Sequence, residues 1–316
     1  MSEPAGTART EVANAAAGSI YDLGYQTYDG PRLGRRHAIR ALFMYSLRGC
    51  FGIGRGGRAK IVPFALAIFA LLPAVVAVGV AALVIRVPTG GGGGGGGGPA
   101  MPITYGTFFS YIQTIPMLFC AAQAPELVGR DQRYHVLPLY FSRALRRSDY
   151  AIAKLASLLV ALLAVFLVPE AVIFVGSVLA ASDVPTAFFE NLPSAPPVLA
   201  IGLASAAVLG GIGLAVAAFT PRRAYATAAI IAVFTVPSVV VAIVNRFATG
   251  DAGRLVVLLS PGEMLEGLNA FFFGRASANR VLVQADLPGV AYLAAAVITA
   301  VGCLLVLLQR YRRIAA

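Results

Sequence analysis

PELVGRDQRYHVLPLYFSRALRRSDYAIAK, residues 125–154, is the most densely charged interruption in a chain that is otherwise mostly apolar. Apolar runs at 103–124 and 155–181 flank it. Read as membrane spans, they confine the stretch between them to one side of a bilayer, as a loop with room for a short helix. It sets Arg130, Arg133, Arg143, Arg146, Arg147 and Lys154 against Glu126, Asp131 and Asp149. Basic loops stay on the cytoplasmic side, so the stretch is placed there.

The composition agrees with that reading. Of 316 residues, 58% are hydrophobic and only 12% charged, and the mean hydropathy is +0.79. Such a chain is not an ordinary soluble domain. A net charge of +11 commonly points to nucleic acid, but here its placement in inner loops points to a membrane surface, so no nucleic-acid partner is expected. Residues 1–30 are small, polar and without periodicity, and read as a disordered cytoplasmic tail with no signal peptide. The three cysteines, Cys50, Cys120 and Cys303, offer no disulfide framework.

Residues 31–60 read as an amphipathic interfacial helix and a basic hinge. Leu33, Ile39, Leu42, Phe43 and Leu47 gather on one side, with Arg32, Arg36 and Arg40 on another. The helix suits a lipid surface, with the flank of a soluble partner as the alternative. Gly52-x-Gly54-x-x-Gly57 matches a dinucleotide fingerprint in letters alone, since no strand precedes it and an apolar run follows. It is read as a flexible hinge.

Six spans are expected, at 61–85, 103–124, 155–181, 198–219, 224–244 and 287–308, together forming a transmembrane domain over 61–313. Each is long enough for a hydrocarbon layer of about 30 Å at roughly 1.5 Å per residue. The run Gly90–Gly98 is a slack outer tether. Gly202, Ala206 and Gly210 repeat at a spacing that lets another helix approach closely. The segment 245–286 is too charged to cross in one piece and reads as two short outer helices. Both termini then lie inside, with twenty Lys/Arg on the inner side and five outside. Glu170, after Pro169, is a candidate intramembrane functional group, or else sits near the outer headgroups where the proline ends its helix.

Chemistry is sparse. No GxxxxGK[ST], HExxH or GxSxG motif is present, and the only histidines are His37 and His135. An enzyme is not expected, nor a cofactor or metal. A conduit or its subunit is.

The element order resembles an ABC-2 type transporter permease. Glu126-Leu-Val-Gly-Arg130-Asp131-Gln-Arg133, then Val136-Leu-Pro-Leu-Tyr-Phe-Ser-Arg143, is similar to that family's cytoplasmic loop, and residues 260–274 to its outer segment. The resemblance implies an all-α, six-span membrane subunit of an exporter in the cell membrane. ATP would be bound by a separate ATPase subunit, and a second permease chain, identical or homologous, would complete the pathway. Glu126, Arg130, Asp131, Arg133, Tyr140, Arg143, Arg146, Arg147 and Asp149 would form the loop that couples to the ATPase, with Tyr134, Leu137 and Phe141 as apolar anchors. Anionic membrane lipid is the other surface those arginines could face. A drug- or lipid-like cargo is expected from the scarcity of fixed polar groups. An ion-driven secondary transporter, or a membrane scaffold without transport, is the alternative.

Overall fold

The computed structural model describes Gly30 and residues 33–86, 103–142, 145–181, 183–220, 222–247 and 251–313. Residues 1–29 of the expected tail, the Gly90–Gly98 tether, Arg143 and Pro221 lie outside the described residues. Contacts divide the chain into Met1–Leu33, of which only Gly30 and Leu33 are described, and Gly34–Ala316. The described helices all lie in the second unit.

Among the described residues the chain is helical throughout, without strands. Five helices are long and apolar enough to cross a membrane, and six if one bent pair is counted as a span. In chain order the helices are α1 (Gly34–Cys50), α2 (Arg58–Arg86), α3 (Tyr105–Ile112), α4 (Thr114–Arg133), α5 (Leu137–Phe141) and α6 (Arg147–Ala180). They are followed by α7 (Val184–Asn191), α8 (Ala195–Phe219), α9 (Arg223–Phe247), α10 (Asp251–Val256), α11 (Pro261–Phe272), α12 (Arg280–Ala285) and α13 (Gly289–Arg313).

The central helix is α8, an Ala/Gly-rich run that packs against α6, α13, α4 and α11. Its small residues are placed by neighbour. Gly202 faces the Phe166 ring and Gly210 faces Leu159 of α6, Gly213 faces Cys120 of α4, and Gly211 faces Cys303 of α13. A methyl group at Gly213 would collide with the Cys120 sulfur. That thiol in turn donates to the Leu209 carbonyl at 3.1 Å. With little hydrophobic driving force between helices in lipid, such close approach is what holds them together.

Several boundaries differ from the apolar runs in the sequence. The run expected to span at 103–124 is interrupted at Gln113 and continues as helix to Arg133. The α4 helix is not among the five apolar spans because its second half carries Glu126, Arg130, Asp131 and Arg133, but half of its residues are buried in protein. The third span begins at Arg147 rather than 155. Asp149 accepts from the Arg146 backbone N–H at 3.0 Å, and a carboxylate in a first turn favours the helix start. Pro169 does not end α6, which runs on to Ala180 with Glu170 only 3% exposed. The loop expected at 125–154 is therefore short, since both its ends are helical and only α5 and its flanks lie between. The 52–57 glycines form a defined turn rather than a loose hinge. Gly52 and Gly54 sit at φ 67° and 87°, and a Cβ at Gly52 would strike the Ala59 carbonyl.

Contacts at helix ends give the directions. At one end, Arg55 meets Glu126, Arg223 meets Glu126, and Arg147 meets the Arg312 carbonyl. At the other, Tyr105 meets Asn191, and Gln113 meets Gly262. Thus α2, α3–α4, α6, α7–α8, α9 and α13 run alternately along the bundle. The segment between α9 and α13 stays at the second end. There the 253–259 helical piece and Pro261–Phe272 meet at 98°. Ser260 caps α11 by accepting from the Glu263 N–H at 3.4 Å, with Pro261 in the first turn.

Candidate functional site

Three carboxylates at the basic end each meet a cation from another helix. Glu126 lies 2.7 Å from the Arg55 guanidinium in the turn after α1, and 2.5 Å from that of Arg223 at the start of α9. Asp131 is 2.9 Å from Lys154 Nζ on α6 and accepts from the Tyr150 hydroxyl at 2.6 Å. Asp149 takes both arms of Arg35 on α1, at 2.7 and 2.6 Å. The α4 helix is thereby tied to α6, α9 and the turn before α2, and α1 is tied to α6. Breaking one partner of a buried pair costs about 3–5 kcal/mol, so the deep Asp131–Lys154 pair outweighs the exposed Arg223 contact.

Around this charge an aromatic cluster closes. The buried Tyr150 ring packs against Tyr140 at 5.6 Å, Phe141 at 6.1 Å and Tyr311 at 5.2 Å. These contacts fasten α5 and the end of α13 onto α6. Arg147 donates to the Arg312 carbonyl at 3.0 Å and stands 5.8 Å over the Phe141 ring. Gln132 donates to the Ala218 carbonyl at 2.9 Å. Burial and nearby Asp131 hold the Tyr140 phenol above its ordinary pKa, and burial pushes the Cys50 thiol up to about 12.

Between α1, α4 and α5 lies an open cleft of about 580 Å³, lined by Tyr45, Ser46, Arg55, Glu126, Arg130, Asp131, Tyr134, Leu139, Tyr140 and Lys154 among others. The Ser46 hydroxyl is buried with no hydrogen-bond partner among the described residues.

The expected coupling residues thus separate into two groups. Glu126, Asp131, Asp149, Tyr140 and Arg147 are committed inside the chain. Arg130, Arg133 and Arg146 are exposed, and none makes an ion pair among the described residues. Of the expected apolar anchors, Leu137 is buried and Phe141 is stacked, whereas Tyr134 is 65% exposed. Leu139, not anticipated, is 67% exposed. The partners Arg35, Arg55 and Arg223 also went unread, because each lies on a helix far away in sequence. Of the α1 arginines assigned to the lipid-facing side, Arg36 and Arg40 are exposed. Glu170 sits inside α6, one carboxylate oxygen buried and unpartnered among the described residues.

The chain matches no family model and no curated protein.

Proposed function

We propose that this chain is the membrane-spanning subunit of an ATP-driven exporter, with ATP bound and hydrolysed by a separate polypeptide docked on the basic end. One observation carries the reading. The α5 helix, with Tyr134 and Leu139 exposed on and beside it and Arg130 and Arg133 unpaired nearby, is fastened by stacked rings to α6, which a buried ion pair ties in turn to α4. A projecting apolar knob ringed by free guanidinium groups suits an acidic groove on a partner. The ties behind it would make a push on α5 move α4 and α6 as units, since packed helices shift rather than deform.

The same end holds the positive excess, which supports a cytoplasmic position for it and six spans, with α3–α4 as the second and both ends of the chain inside. The resemblance to ABC-2 permeases supports this assignment and brings the ATPase and a second permease chain as partners. An ATPase-binding loop on a lipid-embedded bundle needs no catalytic residue of its own. The buried carboxyl of Glu170 favours one other reading, transport driven by an ion or proton. In that case, replacing Glu170 with Gln would abolish transport in a chain that binds no ATPase.

The test is co-purification. Co-expressed with an ATPase carrying GxxxxGK[ST] from an adjacent reading frame, the native chain is expected to retain that subunit through detergent extraction. Arg130→Glu with Arg133→Glu loses it while keeping its own melting temperature. Unchanged retention by the double variant refutes the docking surface.

A further inference from the structure

The second end of the bundle holds a cavity of about 580 Å³ that the coupling scheme does not use. It lies where two helix interruptions meet. Gln113, between α3 and α4, donates to the Gly262 carbonyl at 2.6 Å, and Ser260, at the 98° bend, is 2.8 Å from Ser238 of α9. Hydrogen bonds between interruptions so distant in sequence join the α3–α4 break and α9 to the bend before α11, fixing the elements that line the space. Its size is that of sites for small organic molecules.

The lining is of two kinds. Tyr111, Met117 and Phe234 supply apolar and aromatic surface. Glu263, Glu266 and Arg275 supply the charged groups. Arg275 is committed, lying 3.1 Å from Glu266, which also accepts from Ser110 at 2.8 Å. Glu263 accepts from the neutral amide of Asn279 at 2.5 Å and has no cationic partner among the described residues. With both carboxylates ionised the lining carries one uncompensated negative charge. It faces a ligand-sized space that Tyr111 and Phe234 also line.

We propose that this cavity binds an organic cation, an amine- or onium-bearing amphiphile whose charged group pairs with Glu263 and whose apolar body lies on Tyr111, Met117 and Phe234. A half-buried carboxylate without a counter-charge is costly to keep. A cation entering beside it supplies the missing partner, and the aromatic rings add attraction for the same sign of charge. That the bound molecule is cargo rests on the exporter reading. That it binds does not.

The cavity and the basic ties stand at opposite ends of α4, a helix of 20 residues and so roughly 30 Å long. Gln113 marks one end and Arg133 the other.

The experiment uses the full-length chain in nanodiscs, without ATPase, and radiolabelled tetraphenylphosphonium as probe, with tetraphenylborate as an anion of the same shape. The proposal expects saturable binding of the cation that the borate does not displace. Glu263→Gln weakens it at least tenfold, Glu263→Asp restores part of it, and Arg36→Glu, at an exposed position of α1, leaves it unchanged. Equal binding by Glu263→Gln at an unchanged melting temperature overturns the proposal, as does displacement by the borate or the absence of saturable binding. Any of these leaves the docking of an ATPase intact. Saturable cation binding by a chain that captures no ATPase would sink the exporter reading and keep the site.

Discussion

Lys154 of α6 places its ammonium 2.9 Å from the Asp131 carboxylate of α4, with the lysine side chain 3% exposed and the aspartate 14%. Two charges this far from water are a net asset only as a pair. Lys154→Met, which leaves Asp131 alone, lowers stability by about 3–5 kcal/mol. The double variant with Asp131→Asn recovers most of the loss. Thermal unfolding of the four proteins in detergent gives the coupling energy directly, and additive losses would show that the pair does not interact.

The exposed partner behaves differently. Arg223 meets Glu126 with its own side chain 59% exposed, so Arg223→Ala costs less than about 1 kcal/mol. Glu126→Ala costs more, because it strands Arg55, whose side chain is 22% exposed. A larger loss from Arg223→Ala than from Glu126→Ala in the same melting assay would invert this ranking.

These ties show where the sequence was readable. The long apolar runs near 61–85, 198–219 and 224–244 announced helices, because an uninterrupted oily stretch leaves the backbone few other ways to satisfy itself in lipid. The Ser260-Pro261-Gly262-Glu263 cap could be read in the same way, being purely local chemistry. Gln113 was harder. Its one local signal is Pro116, which has no N–H for the Ile112 carbonyl, and the bond that fixes it reaches Gly262, 149 positions away. The same limit hid the partners of Glu126 and Asp149. Their charge was visible in the sequence, but the helix that answers each charge is decided only by the packing of α1, α4, α6 and α9. That distinction turned a presumed set of docking residues into a tied frame with a smaller free surface.

The central helix makes a steric prediction. Gly213→Val drives a side chain into the Cys120 sulfur and costs about 1–3 kcal/mol through overpacking. Gly302→Ala, whose added methyl meets nothing within 4 Å, is neutral or gains up to about 1 kcal/mol from helix propensity. Comparable melting temperatures for the two variants would argue against the assigned packing of α8 on α4.

Cys50 gives a pH prediction. Its thiol is 0% exposed, and burial raises its pKa from 9.0 to about 12. The folded state favours the protonated form more than the unfolded chain does. This contribution to stability is whole below pH 9 and is lost as the pH climbs from 9 towards 12. At pH 8 a maleimide leaves Cys50 unmodified in the folded chain and modifies it after unfolding in dodecyl sulfate. Modification of Cys50 at equal rates in both states would show that the α1–α6 packing is open.

The exporter proposal stands or falls on a separate ATP-binding polypeptide seated on α5 at the basic end. Leu139, 67% exposed on that helix, is the position to replace with a photo-crosslinking benzoyl-phenylalanine in cells, followed by mass spectrometry of the trapped product. One dominant adduct is expected, to a polypeptide carrying GxxxxGK[ST], and its yield falls when Arg130 and Arg133 are reversed to Glu. Adducts to lipid alone, or an unchanged yield with those arginines reversed, would rule the docked ATPase out.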